Sequence, residues 1–183
     1  MESFPHRRSQ PAASWSREWS RAWLILLTSL LLAGSHAGTG TPAQAQAAKV
    51  PFVPRHIYSE TADPKADIAA GLALARRQHK RVILDFGGDW CGDCQVLDIY
   101  FNQAPNADLL QKHFVLVHVW IGHMDTHIDV AAKYGVPINR GVPALAVLAA
   151  DGAILYSQKT GEFNNMRNMD AASVTEFLEK WKS

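Results

Sequence analysis

Cysteine is almost absent from this chain: two residues in 183, Cys91 and Cys94. So small an inventory argues against a disulfide framework and leaves a closed zinc site short of the four ligands it wants. Neither sign of charge dominates. The formal net charge is +1, with no basic helix and no long charged run, so nucleic acid is not expected as the main partner. Internal repeats are missing, and one domain large enough to bury a real core is expected at this length. The longest apolar run, Ala22 to Ala33, is about a dozen residues, short of the ~20 that a spanning helix needs.

That run has a different meaning. Arg7, Arg8, Arg17 and Arg21 precede it, and Ser35-His36-Ala37 follows with small residues suited to a signal peptidase. Residues 1–37 are therefore expected to be an export signal for the general secretory route, cleaved after Ala37, or after Ala47 as a later alternative. Neither cleavage point has a cysteine near it, so no lipid anchor is expected there. The expected location is the bacterial periplasm. The alternative is an uncleaved segment anchored in the inner membrane and facing the periplasm. Residues 38–56, rich in Ala, Gln, Thr, Gly and Pro, read as a flexible linker. Residues 57–183 are expected to form the folded domain.

Both cysteines lie in Asp85-Phe86-Gly87-Gly88-Asp89-Trp90-Cys91-Gly92-Asp93-Cys94, directly after the apolar run Val82-Ile83-Leu84. A strand, a short turn and Cys-x-x-Cys at a helix start suit thiol–disulfide exchange. Residues three apart on a helix share a face, so the two sulfurs can bond. At the helix N-terminus, unpaired N–H groups and the helix dipole stabilise a thiolate. Cys91 is therefore expected to attack, and Cys94, one turn inward, to resolve. A purely structural disulfide would close so short a loop that it adds little stability.

Asp85 shares a strand face with Ile83, while Leu84 and Phe86 point the other way. Both faces are apolar, as in a strand covered on both sides. Burial there disfavours the charged carboxylate, making Asp85 a candidate to take and return the Cys94 proton. A metal site is the competing reading. His123 and His127 are four apart and could join the cysteines on a soft ion such as Cu(I) in a metallochaperone. No spacing ties the histidines to the cysteines, and the primary expectation is no metal and no cofactor.

The order of elements follows from punctuation and periodicity. Asp63-Pro64 starts a helix through about Lys80, with Ile68, Leu72 and Ala75 inward. A strand at Arg81–Gly87 comes next, then the cysteine helix to about Asn102 and a second helical piece from Pro105 to Lys112. Phe114–Ile121 is a strand and Thr126–Tyr134 a short helix. Ala144–Ala149 and Ala153–Ser157 pair around Asp151-Gly152. Ala171–Lys182 is an amphipathic helix with Val174, Phe177, Leu178 and Trp181 inward. The sum is an α/β domain with a mixed sheet and helices on both faces.

These residues resemble the thioredoxin superfamily. The resemblance rests on Leu84-Asp85-Phe86, on Trp90 before Cys91-Gly92-Asp93-Cys94, and on Gly141-Val142-Pro143 before the run Ala144 to Leu148. It covers about residues 64–183. It implies that Pro143 is a cis-proline facing the cysteines, that Val142 offers its backbone to a substrate chain, and that Trp90 shapes the contact surface. His56-Ile57-Tyr58 is the one candidate for the family's small first strand. His118 stands where the family often has a lysine near the buried Asp. The middle dipeptide departs from the family's Gly-Pro. Asp93 puts a carboxylate beside the sulfurs, which disfavours the thiolate and favours a reducing pair. Tyr134 to Gly141 is longer than the usual loop and could widen the contact surface. The expected function is an exported, monomeric thiol–disulfide oxidoreductase acting on protein thiols and disulfides, reducing in direction and recharged by a membrane thiol-electron donor.

Overall fold

The computed structural model describes residues 53–183. The expected export signal and most of the expected linker lie outside the described residues.

Asp63 opens helix α1 (Pro64–Gln78) by accepting the Lys65 N–H on its carboxylate, with Pro64 in the first turn. His79 ends the helix one residue short of the expected Lys80. Its backbone turns left-handed (φ 55°) and its N–H bonds Ala75 O, a conformation incompatible with another helical turn. Strand β1 (Arg81–Gly87) follows and is buried from Val82 onward. Then come α2 (Gly92–Phe101), α3 (Asn106–His113) and β2 (Phe114–Trp120). Helix α4 (Ile128–Lys133) is shorter than expected, because residues 122–127 are turns with Gly122, Met124 and His127 at positive φ. Strands β3 (Ala144–Leu148) and β4 (Ile154–Ser157) and helix α5 (Ala171–Trp181) complete the domain.

The sheet order is β2-β1-β3-β4. β1 runs parallel to β2 and antiparallel to β3, and β3 pairs antiparallel with β4. The sheet is mixed because the β1–β2 link carries helices across, whereas the β3–β4 link is a tight turn. Alternation along β1 divides the core. Val82, Leu84 and Phe86 face Ile68 and Ala75 of α1 and Val130 and Ala131 of α4. Ile83 faces Leu97 and Phe101 of α2 and Val174, Phe177 and Leu178 of α5. Each fully buried side chain of this kind contributes about 1.5–3 kcal/mol. Of the expected inner face of α5, Trp181 is only half-buried and packs against Tyr156.

His56-Ile57-Tyr58 forms no strand. Its polar backbone is satisfied by a side chain instead: Asp89 Oδ1 accepts the N–H of Ile57 at 2.9 Å and of Tyr58 at 3.0 Å. Arg55, within the expected linker, is also fastened to the domain. Its N–H donates to Gln95 Oε1 and its carbonyl accepts from Gln95 Nε2, both at 2.8 Å. Its guanidinium lies 2.6 Å from Asp98 Oδ2.

Candidate active site

β1 delivers the chain to the site and α2 receives it. Between them Gly88 O accepts the Cys91 N–H, closing a turn. Cys91 is then the N-cap of α2, in extended conformation, and its Sγ accepts the Cys94 N–H at 3.1 Å. A sulfur in that place receives an otherwise orphan helix N–H and the positive end of the dipole. Cys91 and Cys94 are joined as a disulfide, with Cα atoms 5.2 Å apart. Cys91 keeps 6% of its surface exposed and Cys94 none. The outer sulfur is open to a partner and the inner one is not.

The Val142–Pro143 peptide bond is cis, and Val142 O lies 3.5 Å from Cys91 Sγ. Buried Gln158 holds this stretch: Nε2 donates to Pro143 O, and Oε1 accepts the Leu145 N–H. Trp90 is 45% exposed. Its indole N–H donates to Gly122 O at 2.7 Å, and its ring stacks on His123. Met124, Ile128, Val136, Pro137 and Ile138 line an apolar groove of about 810 Å³. Residues 135–139 of the long loop before Pro143 form one wall of this groove.

Asp85 is 1% exposed. Its Oδ2 accepts from Tyr58 Oη at 2.7 Å and from His118 Nδ1 at 3.0 Å; its buried Oδ1 has no partner. His118 is thus the neighbour of Asp85, directly across the β1–β2 register. Burial opposes charging of His118, but the hydrogen bond to Asp85 and its charge prevail and raise the imidazole above its ordinary value. Tyr58 is pushed well above the ordinary phenol value, first by burial and then by the Asp85 charge. It remains a neutral donor.

Asp93 is not the free carboxylate that the sequence suggests. It is buried, and Arg167 holds it with both backbone and guanidinium. Its charge is therefore largely balanced before it reaches the sulfurs. The two histidines considered as metal ligands are engaged elsewhere. His123 stacks on Trp90, and His127 Nδ1 donates to Trp120 O at 2.8 Å. Among the described residues, no three or more His, Cys, Asp or Glu side chains are grouped to hold a metal ion.

Four residues beside the site escape a reading of the sequence. Tyr58, Asp89, Gln158 and Arg167 act through contacts with distant segments, and only Asp89 lies within the motif stretch. The only hint was Asp89, an acidic residue in the turn before the cysteines.

The thioredoxin-like family profile matches residues 63–150. The chain is 35% identical to a disulphide isomerase from Xylella fastidiosa Temecula1 whose crystal structure is known. That match covers 70% of this chain and 98% of that one, with a TM-score of 0.67. It is 26% identical over 164 residues to the thiol:disulfide interchange protein DsbD of Klebsiella pneumoniae, which is 90% of this chain and 26% of that protein. It is 37% identical over 60 residues to thioredoxin-3 of Dictyostelium discoideum, 33% of this chain and 55% of that one. The chain thus spans about a quarter of the first of these curated relatives and about half of the second.

Proposed function

The chain belongs to the thioredoxin superfamily, and from that premise we propose that it is an exported thiol–disulfide oxidoreductase that reduces protein disulfides through Cys91 and Cys94. The observation that carries this reading is the placement of Cys91 Sγ at the N-cap of α2, with Cys94 buried behind it. The likeness to the Xylella disulphide isomerase, over nearly all of that chain, supports it.

In the proposed cycle, the Cys91 thiolate attacks one sulfur of a substrate disulfide. The substrate S–S bond breaks and its other sulfur leaves as a thiolate. Asp85 takes the proton of Cys94. The Cys94 thiolate then attacks Cys91 Sγ, breaks the mixed disulfide and releases the second substrate sulfur. Two electrons have passed to the substrate, and Cys91–Cys94 is oxidised. In this cycle the Val142 carbonyl, beside Cys91, aligns an extended substrate strand, with Pro143 and Trp90 flanking it. Return to the dithiol requires a donor, for which a membrane thiol-electron carrier is proposed.

The reducing direction is supported by the dipeptide between the cysteines. It contains no histidine, and Asp93 with Arg167 forms a neutral pair rather than a positive centre that would favour the thiolate. The test is the equilibrium reduction potential of the pair in a dithiothreitol or glutathione series. A value near the roughly −270 mV of thioredoxin supports a reductant. One near the roughly −120 mV of a strong oxidant reverses the direction. Absence of a reversible two-electron titration removes the oxidoreductase reading altogether.

A further inference from the structure

Tyr58 is fully buried, yet its hydroxyl is aimed at the chemistry. The segment that carries it has no regular structure and is clamped from both ends. Arg55 is fixed to Gln95 and Asp98 of α2, and the N–H groups of Ile57 and Tyr58 are fixed to Asp89. These contacts hold the ring against His118, edge to face at 5.2 Å between centroids. The hydroxyl donates to Asp85 Oδ2 at 2.7 Å.

Gly87 shows what else that hydroxyl meets. A Cβ at this position would stand 2.6 Å from Tyr58 Oη and 2.8 Å from Cys94 Sγ. Hydroxyl and sulfur therefore both border the space that the glycine leaves open. The hydroxyl donates to the acid–base group, and the sulfur that must lose its proton borders the same space beside Gly87.

We propose that Tyr58 relays the proton of Cys94 to Asp85 during the resolving step. This rests on the reading of the cysteine pair as an exchange centre. The Cys94 S–H bond breaks and its proton passes to Tyr58 Oη, as the Tyr58 O–H proton passes to Asp85 Oδ2. The net change is a thiol and a carboxylate becoming a thiolate and a carboxylic acid, with tyrosine unchanged. Burial and the Asp85 charge keep the phenol neutral, so tyrosine enters and leaves the relay as the neutral phenol. The charged and titratable groups around Tyr58 are Asp85 on β1, His118 on β2, Cys94 and Asp98 on α2, and Asp89 in the turn before it.

The experiment uses the reduced full chain and the aryl disulfide dithiobis(nitrobenzoate), which yields a coloured thiolate at each step. The first release reports attack by Cys91, and the second reports resolution by Cys94. Tyr58→Phe should leave the first release within about twofold and slow the second by about tenfold or more, with its pH profile displaced upward. Asp85→Asn should slow the same step, and the double variant should be no slower than the slower single one, because both act on one proton path. A second release from Tyr58→Phe with unchanged rate and pH profile would overturn the relay and assign the proton directly to the unpartnered Asp85 Oδ1. Equal slowing of both releases would reduce Tyr58 to a packing role. Failure of the wild-type chain to give a second release and a Cys91–Cys94 bond would remove the exchange reading itself, and the relay with it.

Discussion

Arg167 grips Asp93 with its backbone and its side chain together. The N–H donates to Oδ1 at 2.9 Å, while Nε and Nη2 reach Oδ2 at 3.2 and 3.1 Å. The contact joins the first turn of α2 to a residue 74 positions later.

Arg167→Ala should make the cysteine pair more reducing. Its loss leaves the Asp93 carboxylate unbalanced beside the sulfurs, which destabilises the thiolate and with it the reduced form. The Arg167 side chain is 68% exposed, so solvent screens the pair and the change should be modest, about 10–30 mV toward negative potential. A redox titration of the two proteins side by side checks it. A shift toward positive potential would contradict the assigned role.

The two cysteines should separate cleanly by variant. Cys94→Ser should retain attack and hold a substrate protein as a mixed disulfide on Cys91, visible as a dithiothreitol-sensitive mass increment. Cys91→Ser should trap nothing, because the remaining sulfur is fully buried.

His118 should titrate above the roughly 6.5 of an ordinary histidine, followed by its ring proton resonances. In Asp85→Asn the midpoint should drop, since burial persists while the partner charge is gone. Linkage gives the sign for stability. A group raised on folding contributes fully below its unfolded pKa and loses that contribution as pH climbs through the folded one. Denaturant midpoints of the wild type should therefore decline more than those of Asp85→Asn as pH rises from about 6.5.

Asp89 has the opposite sign. Burial works against its charged form, but the N–H groups of Tyr58 and Ile57 and the ring of His56 outweigh it and hold the carboxyl below its usual value. Its contribution is present above the unfolded value, near 3.9, and is lost as pH falls through the lower folded value. Hydrogen exchange at the amides of Ile57 and Tyr58 should accelerate in that acid window before the β1 amides do. In Asp89→Asn the two amides should already exchange faster at neutral pH.

Leu97 is fully buried on α2, against the sheet face carrying Ile83. Leu97→Ala should cost about 2–5 kcal/mol, read from urea unfolding at constant m-value.

The parts of this molecule that the sequence reveals are those written locally. An unbroken apolar strand, an Asp-Pro helix start and a Cys-x-x-Cys at the next helix start placed β1, α1 and the sulfurs within a residue or two. Asp85 is buried as alternation along β1 requires, and His118 proved to be its partner because the parallel register sets them side by side. What stayed hidden depends on side chains meeting across long separations. Tyr58 and Asp85 are 27 residues apart, and Gln158 crosses from a loop to cap β3. A tyrosine or glutamine in such a place carries no periodicity to read. The counterion of Asp93 stayed hidden for the same reason: Arg167 lies in the short helical turn Met166–Asn168. The missing first strand failed differently, because one aspartate satisfies the amides that a sheet neighbour would have taken.

The central position of β1 has a consequence for how the protein comes into being. Its two neighbours in the sheet, β2 and β3, begin at Phe114 and Ala144. Neither is present when the cysteines first emerge during synthesis. Pairings of such long sequence separation must wait for loop closure and form slowly. The floor beneath the disulfide is completed only after the chain has been made through Leu148, so a nascent chain carries its cysteines before it has the scaffold that governs their reactivity.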